Sequence, residues 1–211
     1  MSKDKKKKDK ESIKILTLGN KAVGKTCFIL KFTEDYFSEN TLSTTGIDFQ
    51  TKIIKQNGKT YNVNFYDTAG QERYRSLSLN LFKNTDGILL IYDVTEKKTF
   101  DAIPQWIEDI EENEGSNFPI ILVGNKCDLN DERQVPTEKG QELAKKYKFD
   151  FFETSNKDGT NINEVGMALI NKIIEIREKR KEKEIEKEKE NTLKLEKDKH
   201  KKKKFLFCCP L

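Results

Sequence analysis

Gly19-Asn-Lys-Ala-Val-Gly-Lys-Thr26 decides the fold. The octapeptide fits G-x-x-x-x-G-K-[ST], and both of its flanks have the character that pattern requires. Before it, Ile13-Lys-Ile-Leu-Thr-Leu18 reads as a mostly apolar strand ending at Gly19. After it, residues 25–34 carry Phe28, Ile29 and Phe32 at helical spacing. Glycines let the backbone wrap close to a polyphosphate, and successive N–H groups with the helix N-terminus supply positive potential there. In this reading Lys25 reaches the β- and γ-phosphates and the Thr26 hydroxyl ligates Mg²⁺. Gly19, Asn20, Lys21, Ala22, Val23, Gly24 and Cys27 complete the cradle.

Working outward, residues 35–46 are polar and rich in Ser, Thr and Asn, hence loop. Ile47, Phe49, Thr51 and Ile53 then alternate, as do Tyr61, Val63 and Phe65, with the hairpin dipeptide Asn57-Gly58 between them. The pattern continues as strand 88–92, helix 100–112, strand 120–123, helix 137–147, strand 149–153 and helix 162–176. Strands alternating with helices at this spacing predict an α/β fold. Its sheet is mostly parallel and six-stranded, with one antiparallel edge strand and helices on both faces.

Charge divides the chain. The 211 residues carry 40 Lys+Arg, 36 Asp+Glu and a formal charge of +4, with 35% hydrophobic and 36% charged residues. Residues 1–12 hold six lysines against three acids, and residues 177–211 hold fourteen basic residues against eight acids. The body between them is therefore net acidic, which argues against a nucleic-acid-reading face. A body of about 164 residues builds one complete core. The longest apolar runs, 87–92 and 118–123, fall far short of the ~20 residues of a spanning helix. The lysine-rich N-terminus has no apolar stretch behind it and so does not read as a secretory signal. Cys27, Cys127, Cys208 and Cys209 lack disulfide-framework spacing and suit a reduced cytosol. The one histidine, His200, sits in a lysine run and offers neither catalysis nor a zinc site.

Three further motifs follow predicted strands. Asp67-Thr-Ala-Gly-Gln-Glu72 follows 61–66, where a carboxylate at a strand end can hold Mg²⁺ through water. Asn125-Lys-Cys-Asp128 follows 120–124, and Glu153-Thr-Ser-Asn-Lys157 follows 149–152. With the octapeptide, all sit at carboxyl ends of strands, where open parallel sheets bind ligands.

These four motifs resemble the nucleotide motifs of the Ras-superfamily small GTPases. Ser43-Thr-Thr-Gly-Ile-Asp-Phe49, Gln71-Glu-Arg-Tyr-Arg-Ser-Leu77, Leu90-Ile-Tyr-Asp-Val-Thr95 and the Cys208-Cys209 ending are similar to Rab-type segments. The resemblance spans about residues 13–176 and implies the P-loop GTPase fold, with GTP and GDP as ligands and GTP hydrolysis as the activity. It implies that Asp128 reads the guanine N1–H and exocyclic amine. Asn125 then bridges base and phosphate loop, and the stem of Lys126 covers one purine face with Phe37 on the other side. Ser155, Asn156 and Lys157 form the last base contact through a backbone N–H. Thr44 is the switch threonine, ligating Mg²⁺ with Thr26 and Asp67, and Gly70 touches the γ-phosphate. Gln71 orients the attacking water and, with Lys25, forms the catalytic pair. Exchange factor, GAP, GDP-dissociation inhibitor or prenylation escort, and effectors are expected at switch loops 35–49 and 67–82 of a monomer.

The chain departs from the family pattern in several places. Lys21-Ala22 stands where a small residue comes first, so Lys21 either adds charge near the γ-phosphate or obstructs a GAP's finger. Thr45 replaces an aliphatic residue, Asn156 replaces the more usual Ala, and the effector-reading trio is Phe49, Tyr66 and Leu81.

The sequence divides into a leader (1–12), a GTPase domain (13–176), a charged linker (177–204) and an anchor tail (205–211). In the linker, Lys181–Glu190 reads KEKEIEKEKE. A helix there sets like charges at i,i+4, so helical extension and disordered spacer both stand. At the end, Lys201–Lys204, Phe205-Leu-Phe207 and the Cys208 and Cys209 thiols form a lipidation signal. Cys208-Cys-Pro-Leu211 fits single prenylation, whereas the Rab resemblance implies two modified thiols. The expected place is the cytoplasmic face of a membrane, with a cytosolic pool, and the expected role is a switch in vesicle trafficking. A Ras- or Ral-like signalling GTPase and a weakly hydrolysing GTP-bound scaffold are the rival readings.

Overall fold

The computed structural model describes residues 10–38, 47–68, 82, 84–114 and 118–206. Six strands, β1 (Lys10–Leu18), β2 (Ile47–Gln56), β3 (Lys59–Thr68), β4 (Gly87–Asp93), β5 (Ile120–Asn125) and β6 (Asp150–Thr154), form one sheet in the order β2-β3-β1-β4-β5-β6. Only β2 runs antiparallel to its neighbour. The α/β architecture is the one the alternation predicts. The hairpin closes on Gln56↔Lys59, with Asn57 at φ +50° and Gly58 at φ +72°. Positive φ at both central residues is what a right-twisted two-residue hairpin demands. β1 begins three residues before its apolar run, because Lys10, Glu11 and Ser12 continue the ladder opposite Thr60, Tyr61 and Asn62. Backbone pairing does not require an apolar side chain.

The helices are α1 (Lys25–Glu34), α2 (Lys97–Asp101), α3 (Ile103–Glu114), α4 (Thr137–Tyr147) and α5 (Ile162–Leu206). The single helix expected over 100–112 is instead two, broken at Ala102. Pro104 has no N–H to offer the Phe100 carbonyl, so the helical ladder loses a rung there. The ladder resumes where the Trp106 N–H reaches the Ala102 carbonyl at 3.2 Å.

Leu16, Leu18, Ile88, Leu90, Tyr92 and Leu122 pack against Ile103, Trp106, Ile107 and Ile110 of α3 and Ala144 of α4. Their neighbours along the strands, Ile15, Leu89, Ile91 and Val123, are equally buried and face the opposite side by strand alternation. On that side the Phe32 ring of α1 meets Phe65 of β3 edge-on at 5.3 Å. It also lies so near α5 that a Cβ on Gly166 would come within 2.2 Å of it.

The chain forms two compact units, Met1–Asn171 and Lys172–Leu211, and α5 contributes to both. Residues 177–206 continue α5, so of the two readings left open for the charged linker the structure takes the helix. As helix, that stretch rises about 45 Å at ~1.5 Å per residue. Among the described residues no helix is long and apolar enough to cross a membrane.

Candidate functional site

The described candidate residues gather beyond the carboxyl ends of the parallel strands. After β1 the chain turns through Gly19 at φ +138°, where a Cβ would stand 2.0 Å from the Ile91 carbonyl oxygen. Gly24, at φ +97°, is equally constrained, since its Cβ would lie 2.3 Å from Asn125 Nδ2. Ala22, between them, holds φ +63° and is exposed beside Lys21, while Val23 is buried.

Side chains from three other elements hold this loop. Asn125, at the end of β5, donates through Nδ2 to the Val23 carbonyl at 2.7 Å, and the Thr154 hydroxyl steadies its Oδ1 at 3.1 Å. Asn156, just past β6, donates through Nδ2 to the Gly24 carbonyl at 3.0 Å. Trp106 of α3 donates through Nε1 to Asn20 Oδ1 at 2.8 Å. The Asn125 bridge to the phosphate loop is as anticipated. The other two contacts were not. Trp106 shows only helical spacing in the sequence, and the sole hint at Asn156 is an amide where a small residue is usual.

Inside the loop the Lys25 ammonium donates to the carbonyls of Gly19 (3.0 Å) and Asn20 (2.8 Å). Lys25 is only 6% exposed, and this burial lowers its pKa to about 8 against the opposing attraction of Asp67. A buried cation wrapped by loop backbone is matched to an anion that brings its own charge. The adjacent Thr26 hydroxyl donates to Asp67 Oδ2 at 2.5 Å, joining the start of α1 to the end of β3. A hydroxyl and a carboxylate meeting beside this loop are hard oxygens of the kind Mg²⁺ takes. Among the described residues no group of three His, Cys, Asp or Glu offers an all-protein metal cage. These residues fit the ion.

On the other side of the loop, Lys126 adopts φ +67° and its ammonium pairs with Asp93 Oδ2 at 2.5 Å. Asp93 is buried, and its Oδ1 accepts the Thr95 N–H and hydroxyl at 2.8 and 2.7 Å. The strand end of β4 thereby aims the lysine stem, a role that sequence spacing left invisible. Asp128 is exposed at the rim. Burial pushes the Cys127 thiol up, with Glu153 adding to it, which keeps Cys127 a packing residue. Ser155 and Asn156 are buried and Lys157 is exposed. Glu153 is half-buried near the end of β6. It forms a two-pronged pair with Arg133 at 2.7 and 3.1 Å and accepts the Thr137 hydroxyl, so the segments after β5 and around the end of β6 are tied together.

Phe37 is half-buried beyond α1. Phe49 is 59% exposed and stacks on Tyr66 with ring centres 6.0 Å apart. Thr44, Thr45, Gly70, Gln71, Leu81, Cys208 and Cys209 lie outside the described residues.

Comparison with known proteins gives the family. The Ras family model matches residues 14–175. The chain is 44% identical over 161 residues to Ras-related protein Rab-8B of Pongo abelii, covering 76% of this chain and 78% of that one. It is 42% identical over 161 residues to GTP-binding protein ypt2 of Schizosaccharomyces pombe, covering 76% and 80%. Ras-related protein Rab-8 of Diplobatis ommata is 40% identical over 167 residues, covering 79% and 80%. The chain belongs to the Ras family. Within that family it is a Rab-like small GTPase of membrane trafficking, an enzyme that binds GTP and GDP and hydrolyses GTP to GDP and phosphate. The Ras- or Ral-like alternative is not favoured.

Proposed function

We propose that the chain is a membrane-anchored switch whose nucleotide lies across the pinned loop, phosphates over Gly19–Thr26 and guanine against Asn125–Asp128 and Ser155–Lys157. The observation that carries the reading is the buried Lys25 ammonium within 3.0 Å of two loop carbonyls, beside the Thr26–Asp67 pair. Lys25 neutralises phosphate charge without having to be organised first. Thr26, Asp67 and Thr44 hold Mg²⁺, which neutralises charge on the phosphates when bound. Gln71 orients the attacking water, and the backbone of Gly70 and the side chain of Thr44 sense the γ-phosphate, so the two switch loops relax once it leaves. Regulators and effectors of the kinds expected above read those loops.

Asp128 supplies the base test. A carboxylate that accepts both guanine donors is left desolvated and unpaired by a base lacking them, so Asp128→Asn weakens GTP binding and shifts preference to xanthosine nucleotides. Unchanged guanine affinity in equilibrium titration removes Asp128 from the base site.

The tail completes the proposal. Lipid on Cys208 or on both Cys208 and Cys209, helped by Lys201–Lys204, holds the protein at a cytoplasmic membrane face, because one prenyl chain alone attaches marginally. Replacing both cysteines by Ser leaves the protein cytosolic on fractionation. Native C-termini with unmodified thiols in mass spectrometry would refute the anchor.

A further inference from the structure

We infer that the Asn156 side chain is a positioning residue for nucleotide retention, tethering the base-reading segment after β6 to the phosphate loop. The inference rests on the guanine-nucleotide reading above. Asn156 is 5% exposed, and its Nδ2 lies 3.0 Å from the Gly24 carbonyl. That same carbonyl accepts the Phe28 N–H at 2.9 Å, the first bond of α1. Its acceptor capacity is therefore shared between the helix and the tether. At its other end the carboxamide finds nothing, since the buried Asn156 Oδ1 has no hydrogen-bond partner among the described residues. One bond thus fixes the side chain, and that bond ends on the phosphate loop.

The neighbouring peptide is gripped in the same way, by Asn125 Nδ2 on the Val23 carbonyl at 2.7 Å. Two carboxamides from the ends of β5 and β6 therefore hold consecutive carbonyls immediately before Lys25 and Thr26. Gly24 accommodates both, because a Cβ there would lie 2.3 Å from Asn125 Nδ2 and 2.7 Å from Asn156 Nδ2. A nucleotide leaves when the surfaces around its base and its phosphates loosen. With Asn156 in place the two cannot loosen independently, and release is slowed. Without it, the base-side segment opens while the phosphate loop stays put.

The test uses the full chain loaded with a fluorescent GDP analogue and Mg²⁺, chased with excess GDP. Asn156→Ala speeds release roughly two- to tenfold, the range a single net hydrogen bond supports. Asn156→Asp keeps the size but sets an acceptor against the Gly24 carbonyl, and it releases at least as fast as the alanine variant. Amide hydrogen exchange adds a readout that general weakening would not reproduce. In Asn156→Ala, exchange rises at 155–159, where the Ser155 and Gly159 N–H groups are bonded within the base-side segment, and stays unchanged in α4. Release at the wild-type rate in both variants overturns the tether, as does an exchange increase spread equally through α4. A chain that holds no guanine nucleotide at all overturns the proposed function first, and the tether with it.

Discussion

The middle of the sheet and its β2 edge are built on different terms. β4 and β5 are buried along their entire length, and the loops at their carboxyl ends carry Asp93, Asn125 and Lys126 in fixed hydrogen bonds and ion pairs. At the edge β2 alternates between half-buried and exposed, leaving Phe49 and Ile53 59% and 57% exposed. A strand covered on both faces has nowhere to move and can hold a ligand-binding loop in register. A strand with an open face is free to present side chains to a second molecule. The division suits a protein that must grip one small ligand while being read by large ones.

The sharpest way to break that contrast is in the buried middle. Gly19→Ala requires a Cβ 2.0 Å from a backbone oxygen at φ +138°. It should cost on the order of 3 kcal/mol or more, with loss of bound nucleotide, measured by denaturant unfolding and nucleotide retention. Wild-type stability in that variant would mean the strand end yields.

The next effect comes from Lys25 and depends on pH. Its pKa of about 8 in the nucleotide-free fold lies below the unfolded value of 10.5. The burial penalty is therefore present in full below pH 8. It is relieved as pH rises from about 8 towards 10.5, so the nucleotide-free fold gains on the order of 3 kcal/mol across that window. Bound phosphates favour the ammonium, so above about pH 8 nucleotide binding takes up a proton. Calorimetry in buffers of different ionisation heat should show uptake near zero at about pH 7, rising towards one proton at about pH 9. Lys25→Arg abolishes it. No uptake at the higher pH would place the ammonium outside the phosphates' field.

The open edge yields least. Phe49→Ala loses one ring stack on Tyr66 at 6.0 Å and should shift unfolding by less than about 1 kcal/mol. A loss as large as that of Gly19→Ala would erase the distinction between middle and edge.

Most of the fold and the site's outline were legible because strand alternation, Asn57-Gly58 and the four strand-end motifs each act through local chain geometry. What sequence hid depends on approach in space. Nothing in the spacing of Trp106 announces Asn20, and nothing near Lys126 announces Asp93, because those partners come from other strands and loops. The break at Ala102 was readable from Pro104 but was outvoted by the apolar spacing of Trp106 and Ile110. The linker stayed open between helix and coil because its like charges at i,i+4 cancel the local preference that would have decided it.

Trp106 has one more consequence. It is the only tryptophan in the sequence, and its indole N–H is hydrogen-bonded to Asn20 at the phosphate cradle. All the tryptophan fluorescence of the molecule therefore originates one hydrogen bond from the proposed nucleotide site. The chain carries a built-in optical reporter of its own cycle, with no dye attached.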